Sequence, residues 1–217
     1  PVTETPEQAR SLIESAARHG CVLQVGHLER FNSAILALEG VLGTPRFVES
    51  HRLAPFKERG TDVNVVLDLM IHDIDLIQSL VGAPVESIDA VGASVFSAGL
   101  DIANARIRYA NGCVANTTAS RVSMKMERKL RLFQDDAYVS IDLQQKVLTI
   151  VRKPPEGADV PRGQVVIEER SYDLNEWRLG DKSALHGLAP DFGPLHAPIP
   201  SFPARFPVLA LDRILGY

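Results

Sequence analysis

From Val85 to Tyr172 the chain breaks into short runs of β-favouring residues, each closed by a turn signal, and this succession limits the possible folds most. The runs are Val85–Phe96, Ile102–Tyr109, Cys113–Ser123, Arg128–Phe133, Tyr138–Leu143, Val147–Val151 and Val165–Tyr172. Asn111-Gly112 is the strongest hairpin signal, because both residue types accept the positive φ of a tight two-residue turn. Asp135-Asp136 and Gln144-Gln145 mark further turns. Strands joined by such short connections pair antiparallel, since a parallel neighbour needs a long crossover. Arg46–Ala54 alternates like one more strand ahead of them. A sheet of this kind buries one face under helices and leaves the other open.

The helices are signalled by caps. Thr5 is the expected N-cap of a first helix, with Pro6 in its first position, Gln8 closing a capping box and Gly20 ending it. Cys21–Val25 reads as a short buried strand, and helix followed by strand is one α/β unit. A second helix is expected over Phe31–Leu42, ending near Gly43. Residues 190–207 hold six of the 14 prolines, a density that excludes a regular helix. The class is therefore α+β: one α/β unit (1–28), an α+β domain with a largely antiparallel open sheet (29–181), and an irregular Pro-rich tail (182–217). Pro154–Gly163 is expected to be a surface loop.

One segment carries chemistry. In Val63–Leu80, drawn at about 100° per residue, Asn64, Asp68, His72, Asp75 and Ser79 fall within roughly 80° of one another. Apolar residues fill most of the rest, and Asp73 falls opposite the stripe. A carboxylate and an imidazole on one narrow stripe of a mostly buried helix can form a proton-transfer pair. A polar stripe is also what an ordinary solvent face looks like, and an i,i+4 Asp/His pair can be only a weak helix contact. The apolar arc here is wide for a surface helix, which points to the wall of a cleft.

Composition removes other classes. The net charge is -4 with a pI near 5.9, which argues against a nucleic-acid or anionic-membrane partner. The longest apolar stretches carry Asp or His, so none is expected to span a bilayer. Cys21 and Cys113 have no motif spacing and read as reduced thiols of a cytoplasmic protein. The other histidines (His19, His27, His51, His186, His196) lack metal-ligand spacing, and no metal is expected. Pro1 stands where an initiator methionine would, so the chain reads as a truncated, cleaved or partial product.

Three stretches together resemble the Gfo/Idh/MocA family of NAD(P)-dependent sugar and polyol oxidoreductases. Pro1-Val2-Thr3 before the capped helix looks like the continuation of the family's Glu-Lys-Pro segment. Gln24-Val-Gly-His-Leu-Glu-Arg-Phe-Asn32 looks like the strand end where the nucleotide domain hands over to the second domain. Asp68-x-x-x-His72 looks like the catalytic Asp/His helix. The likeness runs to about Asp181 and is strongest to members acting on nucleotide sugars, such as UDP-N-acetylglucosamine 3-dehydrogenases.

The resemblance implies roles. Hydride goes to or from NAD or NADP, and the protein must handle the hydroxyl proton. His72 is the implied acid/base and Asp68 its orienting partner. Asp75 is placed to bind substrate hydroxyls, and His51 to point into the same cleft or, equally well, onto an exposed strand face. Arg52 and Arg59 are candidates for a nucleotide-sugar phosphate. His27, Glu29 and Arg30 are implied beside the cofactor, with a structural salt bridge as the plainer role for Arg30. A homo-oligomer through the open sheet face is implied as well.

Two departures accompany the likeness. The resemblance implies that residues 1–28 are the remnant of the family's Rossmann α/β dinucleotide-binding domain: no G-x-G-x-x-G occurs in the 217 residues, and the family's lysine would precede Pro1. The Pro-rich end is unlike the family's closing helices, which suggests an altered frame or end after about Gly180. The chain alone is thus expected to be inactive. Two rivals stay open at this point: a non-catalytic dimerisation or binding module, and a metal-dependent phosphohydrolase suggested by His72-Asp73.

Overall fold

A computed structural model describes residues 2–3, 5–57, 62–154 and 164–172. Arg59, nearly all of the 154–163 loop and the Pro-rich stretch lie outside the described residues.

The expected sheet is present, with a strand for each of the eight β-favouring runs. Among the described residues, eight strands are arranged in the order β2-β3-β4-β1-β5-β6-β7-β8. They are β1 Phe47–Leu53, β2 Val85–Ala93, β3 Ile102–Tyr109, β4 Val114–Ser120, β5 Glu127–Phe133, β6 Ala137–Asp142, β7 Val147–Arg152 and β8 Val166–Ser171. Every neighbouring pair is antiparallel except β1 with β4, where Phe47 lies opposite Val114 and Leu53 opposite Ser120. The strand before the Asp/His helix thus ends up in the middle of the sheet. The fold class is α+β, as the alternating runs and turns imply.

Helices cover one face. Helix α1 (Pro6–Arg18) begins with the expected capping box: the Thr5 side chain accepts from the Gln8 amide, and the Gln8 side chain accepts from the Thr5 amide. The second helix is shorter than its pattern. A 3₁₀ turn, Leu28–Phe31, leads into α2, which spans only Ser33–Leu36. Gly40, at φ +72°, adopts a left-handed conformation that no helix can pass through, and the chain turns there. Cys21–Val25 forms no strand; these residues are exposed and no strand lies beside them among the described residues. An apolar run makes a strand only with a partner for its backbone groups, and that expectation fails here.

The Asp/His segment is not one regular helix. Val66–Met70 is a π turn, and α3 follows over Ile71–Val81, ending on the left-handed Gly82 (φ +63°). Leu76, Ile77 and Val81 of α3 pack with α2 over Val48, Leu130, Leu132, Val139, Ile141, Leu148 and Ile150. The π turn packs separately: Val65, Val66, Met70 and Ile74 lie on Ala103, Ala105 and Ala119. Alanine at these three strand positions leaves room for the wider turn to approach the sheet. Among the described residues no helix is long and apolar enough to cross a membrane.

Candidate active site

Strand alternation decides which side chains reach the helices. Along β1, Val48, Ser50 and Arg52 are buried beneath α3, while Glu49 and His51 lie on the opposite face. His51 therefore does not share a cleft with the Asp/His segment. Its Nδ1 lies 3.4 Å from Arg131 on the open face, and of its two expected placements the strand face is the one found.

Arg52 points the other way and is 3% exposed. Its Nη2 and Nε donate to Asp73 Oδ1 at 2.7 and 3.0 Å. Its Nη1 reaches Glu29 Oε1 at 3.5 Å, and Arg128 approaches the same oxygen at 3.7 Å. A guanidinium enclosed in this way is not available to a substrate phosphate, so the role expected for Arg52 is replaced by an internal ion pair. Asp73, expected opposite the polar stripe, is indeed on the sheet side, where it becomes the partner of Arg52.

Asp75 is also withdrawn from solvent. It is 2% exposed, accepts from Arg30 Nε at 2.7 Å and from Arg30 Nη2, and lies 3.4 Å from His27 Nδ1. The reason is coverage: residues 27–31 lie across that side of α3, so Asp75 meets protein instead of substrate. The same contacts give Arg30 its structural salt bridge. Glu29 is tied to Arg52 and Arg128, and His27 to Asp75. Of the three residues expected beside the cofactor, His27 and Arg30 therefore tie the 27–31 segment to α3, and Glu29 ties it to β1 and β5.

The central pair is rearranged too. A π turn closes i→i+5 and takes in one more residue than an α turn, so side chains before it are rotated relative to those after it. Asp68 is exposed while His72 is half-buried, and no hydrogen bond or ion pair joins them. The uniform rotation drawn from the sequence does not apply across Met70.

His72 nonetheless keeps the properties a candidate proton carrier needs, a half-buried imidazole with a shifted pKa. Burial pushes its imidazole below the ordinary histidine value, the neighbouring Arg52 charge adds to this, and Glu29 opposes it. His27 is lowered as well, by burial first, against the pull of Asp75. Asp73 is shifted the other way: burial raises it and the Arg52 charge resists. The result is an imidazole whose neutral form is favoured, beside the buried Arg52–Asp73–Glu29 network. Among the described residues no group of three or more His, Cys, Asp or Glu could hold a metal ion. The metal-dependent phosphohydrolase suggested by His72-Asp73 would need Asp73 as a ligand, and Asp73 is instead committed to Arg52.

Sequence reasoning missed two buried ion pairs, Arg52–Asp73 and Arg121–Asp101. For the second, a signal existed in Leu100-Asp101-Ile102, where a single carboxylate opens an otherwise apolar run.

Residues 35–140 match the GFO/IDH/MocA C-terminal domain. UDP-N-acetylglucosamine 3-dehydrogenase of Acidithiobacillus ferrooxidans is 39% identical over 175 residues, 80% of this chain and 55% of that protein. A solved structure of UDP-N-acetylglucosamine 3-dehydrogenase from that organism superposes with a TM-score of 0.70 at 38% identity, covering 81% of this chain and 56% of the other. A levoglucosan dehydrogenase in complex with NADH and L-sorbose gives a TM-score of 0.63 at 14% identity, over 77% of this chain and 52% of that one, a likeness of fold alone. The chain spans about half the length of the curated relatives it matches.

Proposed function

Because this chain belongs to the Gfo/Idh/MocA family, we propose that the protein interconverts a hydroxyl and a keto group on a sugar or nucleotide sugar with NAD or NADP. The observation that carries this reading is the half-buried His72, kept neutral by burial and by Arg52. The nicotinamide, when bound, takes or gives the hydride. His72 takes the hydroxyl proton in oxidation and returns it in reduction, which suits an imidazole that is unprotonated near neutrality. Exposed Asp68, one π turn earlier, is free to meet substrate or to bond His72 once a substrate fills the space between them.

The chain's own residues fit the substrate side of this reaction better than the cofactor side. His27, Glu29 and Arg30 are committed to internal partners, and no glycine-rich phosphate loop occurs in the sequence. These 217 residues alone should accordingly bind NAD(H) weakly or not at all; micromolar affinity in a nicotinamide titration would contradict this. A nucleotide sugar, in particular a UDP-N-acetylhexosamine, is the substrate class favoured by the 39% identical dehydrogenase. The setting proposed is the cytoplasm.

The test is His72→Ala in the complete protein. Turnover should fall by ~10²-fold or more with cofactor affinity nearly unchanged. An unaltered rate removes His72 from the mechanism.

A second reading concerns the open sheet face, for which we propose a homo-oligomer contact. Phe47, Phe133 and Tyr138 form an aromatic row there, with ring centroids 5.7 and 5.0 Å apart, and Ile167 is 65% exposed on the outermost strand.

A further inference from the structure

A second charged cluster lies apart from His72, at the other end of the π turn. Asp101 immediately precedes β3 and is fully buried. Its Oδ2 accepts from the amides of Val95, Phe96 and Ser97 at 2.8, 2.6 and 2.9 Å. Its Oδ1 accepts from the Ser97 hydroxyl at 2.6 Å and from Arg121 Nε at 2.8 Å. Burial alone would raise this carboxyl, yet the Ser97 and Arg121 donors and the Val95 amide hold it well below the usual range. Arg121, 5% exposed just past β4, donates through Nη2 to the Ser97 hydroxyl at 2.9 Å and through Nη1 to the Val63 carbonyl at 2.7 Å.

That last bond leads to the reacting segment. The Val63 carbonyl is held by Arg121, and the Val65 amide donates to the Leu100 carbonyl at 2.9 Å. Asn64, between them, is gripped from both sides. Its side-chain oxygen accepts from the Val66 and Leu67 amides at 3.1 and 3.0 Å, and its carbonyl accepts from the Asp68 amide at 3.1 Å. A side chain on Gly99 would come within 3.8 Å of the Asn64 Cα, so the 94–100 loop rests directly on this entry.

A π turn is an uncommon register that persists only where its surroundings hold it, and such turns are frequent at functional sites. Shifting the entry by one residue would relax Val66–Met70 toward an ordinary α-helix and swing Asp68 about the axis. We infer that Asp101, Arg121 and Ser97 are positioning residues, a clasp that holds the Val63–Asn64 entry so that the π register, and with it Asp68, keeps its place relative to His72. None of the three touches the reacting atoms. The inference rests on the dehydrogenase reading of Asp68 and His72.

The test combines Arg121→Lys, which retains the charge beside Asp101 but loses the fork reaching Val63, with the milder Ser97→Ala. Both are made in the complete protein, alone and together with Asp68→Asn. Each single variant should lower kcat by ~10-fold or more, as misplacement of a reacting group does, with KM for the nicotinamide cofactor unchanged. In the Asp68→Asn background the clasp variants should cause no further loss. Hydrogen exchange of the amides in 66–70 should quicken while β6 and β7 keep native protection. Losses that multiply in the double variants, or unchanged exchange in 66–70, overturn the inference. The parent reading fails separately, by an unaltered rate in His72→Ala; the exchange arm still decides whether the clasp holds the turn.

Discussion

Replacing Arg52 by methionine isolates the buried network beneath His72. Arg52 and Asp73 are both nearly inaccessible, with side-chain exposures of 3% and 4%, so solvent screens their attraction little. Both donors of Arg52 converge on Asp73 Oδ1, and Asp73 Oδ2 is buried with no partner at all. Removing the guanidinium would leave a buried carboxylate without compensation, which costs about 3–5 kcal/mol. For a chain of this size that is a fall in Tm of about 6–20 °C. The loss must depend on pH in one direction. The folded-state pKa of Asp73 already lies above its ordinary 3.8, and losing Arg52 raises it further. The folded state then holds a proton that the unfolded state has released. Stability of the variant should be best in acid and should decline as pH rises from about 4 through the raised folded value. The double variant Arg52→Met/Asp73→Leu removes the charge together with its partner and should recover to within about 1–2 kcal/mol of the native protein. Urea unfolding at pH 5 and pH 8 measures all three quantities. An Arg52→Met protein as stable as the parent at pH 8, or one whose deficit grows in acid, would refute the reasoning.

The same network sets the pH dependence of turnover. With His72 depressed by burial and by Arg52, the acid limb of kcat/KM for oxidation should lie below 6.5, and in Arg52→Met it should move upward, since a repelling charge is gone; a downward move would contradict the electrostatics. Leu130→Ala, at a core position 1% exposed, should destabilise by about 2–5 kcal/mol in denaturant without altering KM in the complete protein. Phe133→Lys on the open face should shift the sedimentation of an oligomer toward the monomer while leaving the fold intact by circular dichroism; an unchanged oligomer places the contact elsewhere.

The strand series from Val85 to Tyr172 was legible because alternation and turn chemistry are local: Asn111-Gly112, Asp135-Asp136 and Gln144-Gln145 each mark a real connection between neighbouring strands. The Thr5–Gln8 capping box was legible for the same reason. Likewise the family likeness rests on short ordered stretches that are recognisable without coordinates. What a linear pattern could not convey is which face each charged group meets. Arg52 and His51 are neighbours in sequence and lie on opposite sides of the sheet because successive strand side chains alternate, but only the folded chain shows which of the two faces the helices cover. Asp75 reads from its spacing as a substrate-facing group, but the folded chain lays residues 27–31 over it and buries it against Arg30 and His27. The Asp68–His72 phase was drawn for a uniform α-helix, whereas packing on Ala103, Ala105 and Ala119 accompanies a π turn there. Residue types and their spacing therefore determined the class of fold and singled out His72 as the candidate proton carrier. The tertiary structure decided its charge environment, because burial and ion pairing depend on which distant segments close around a side chain.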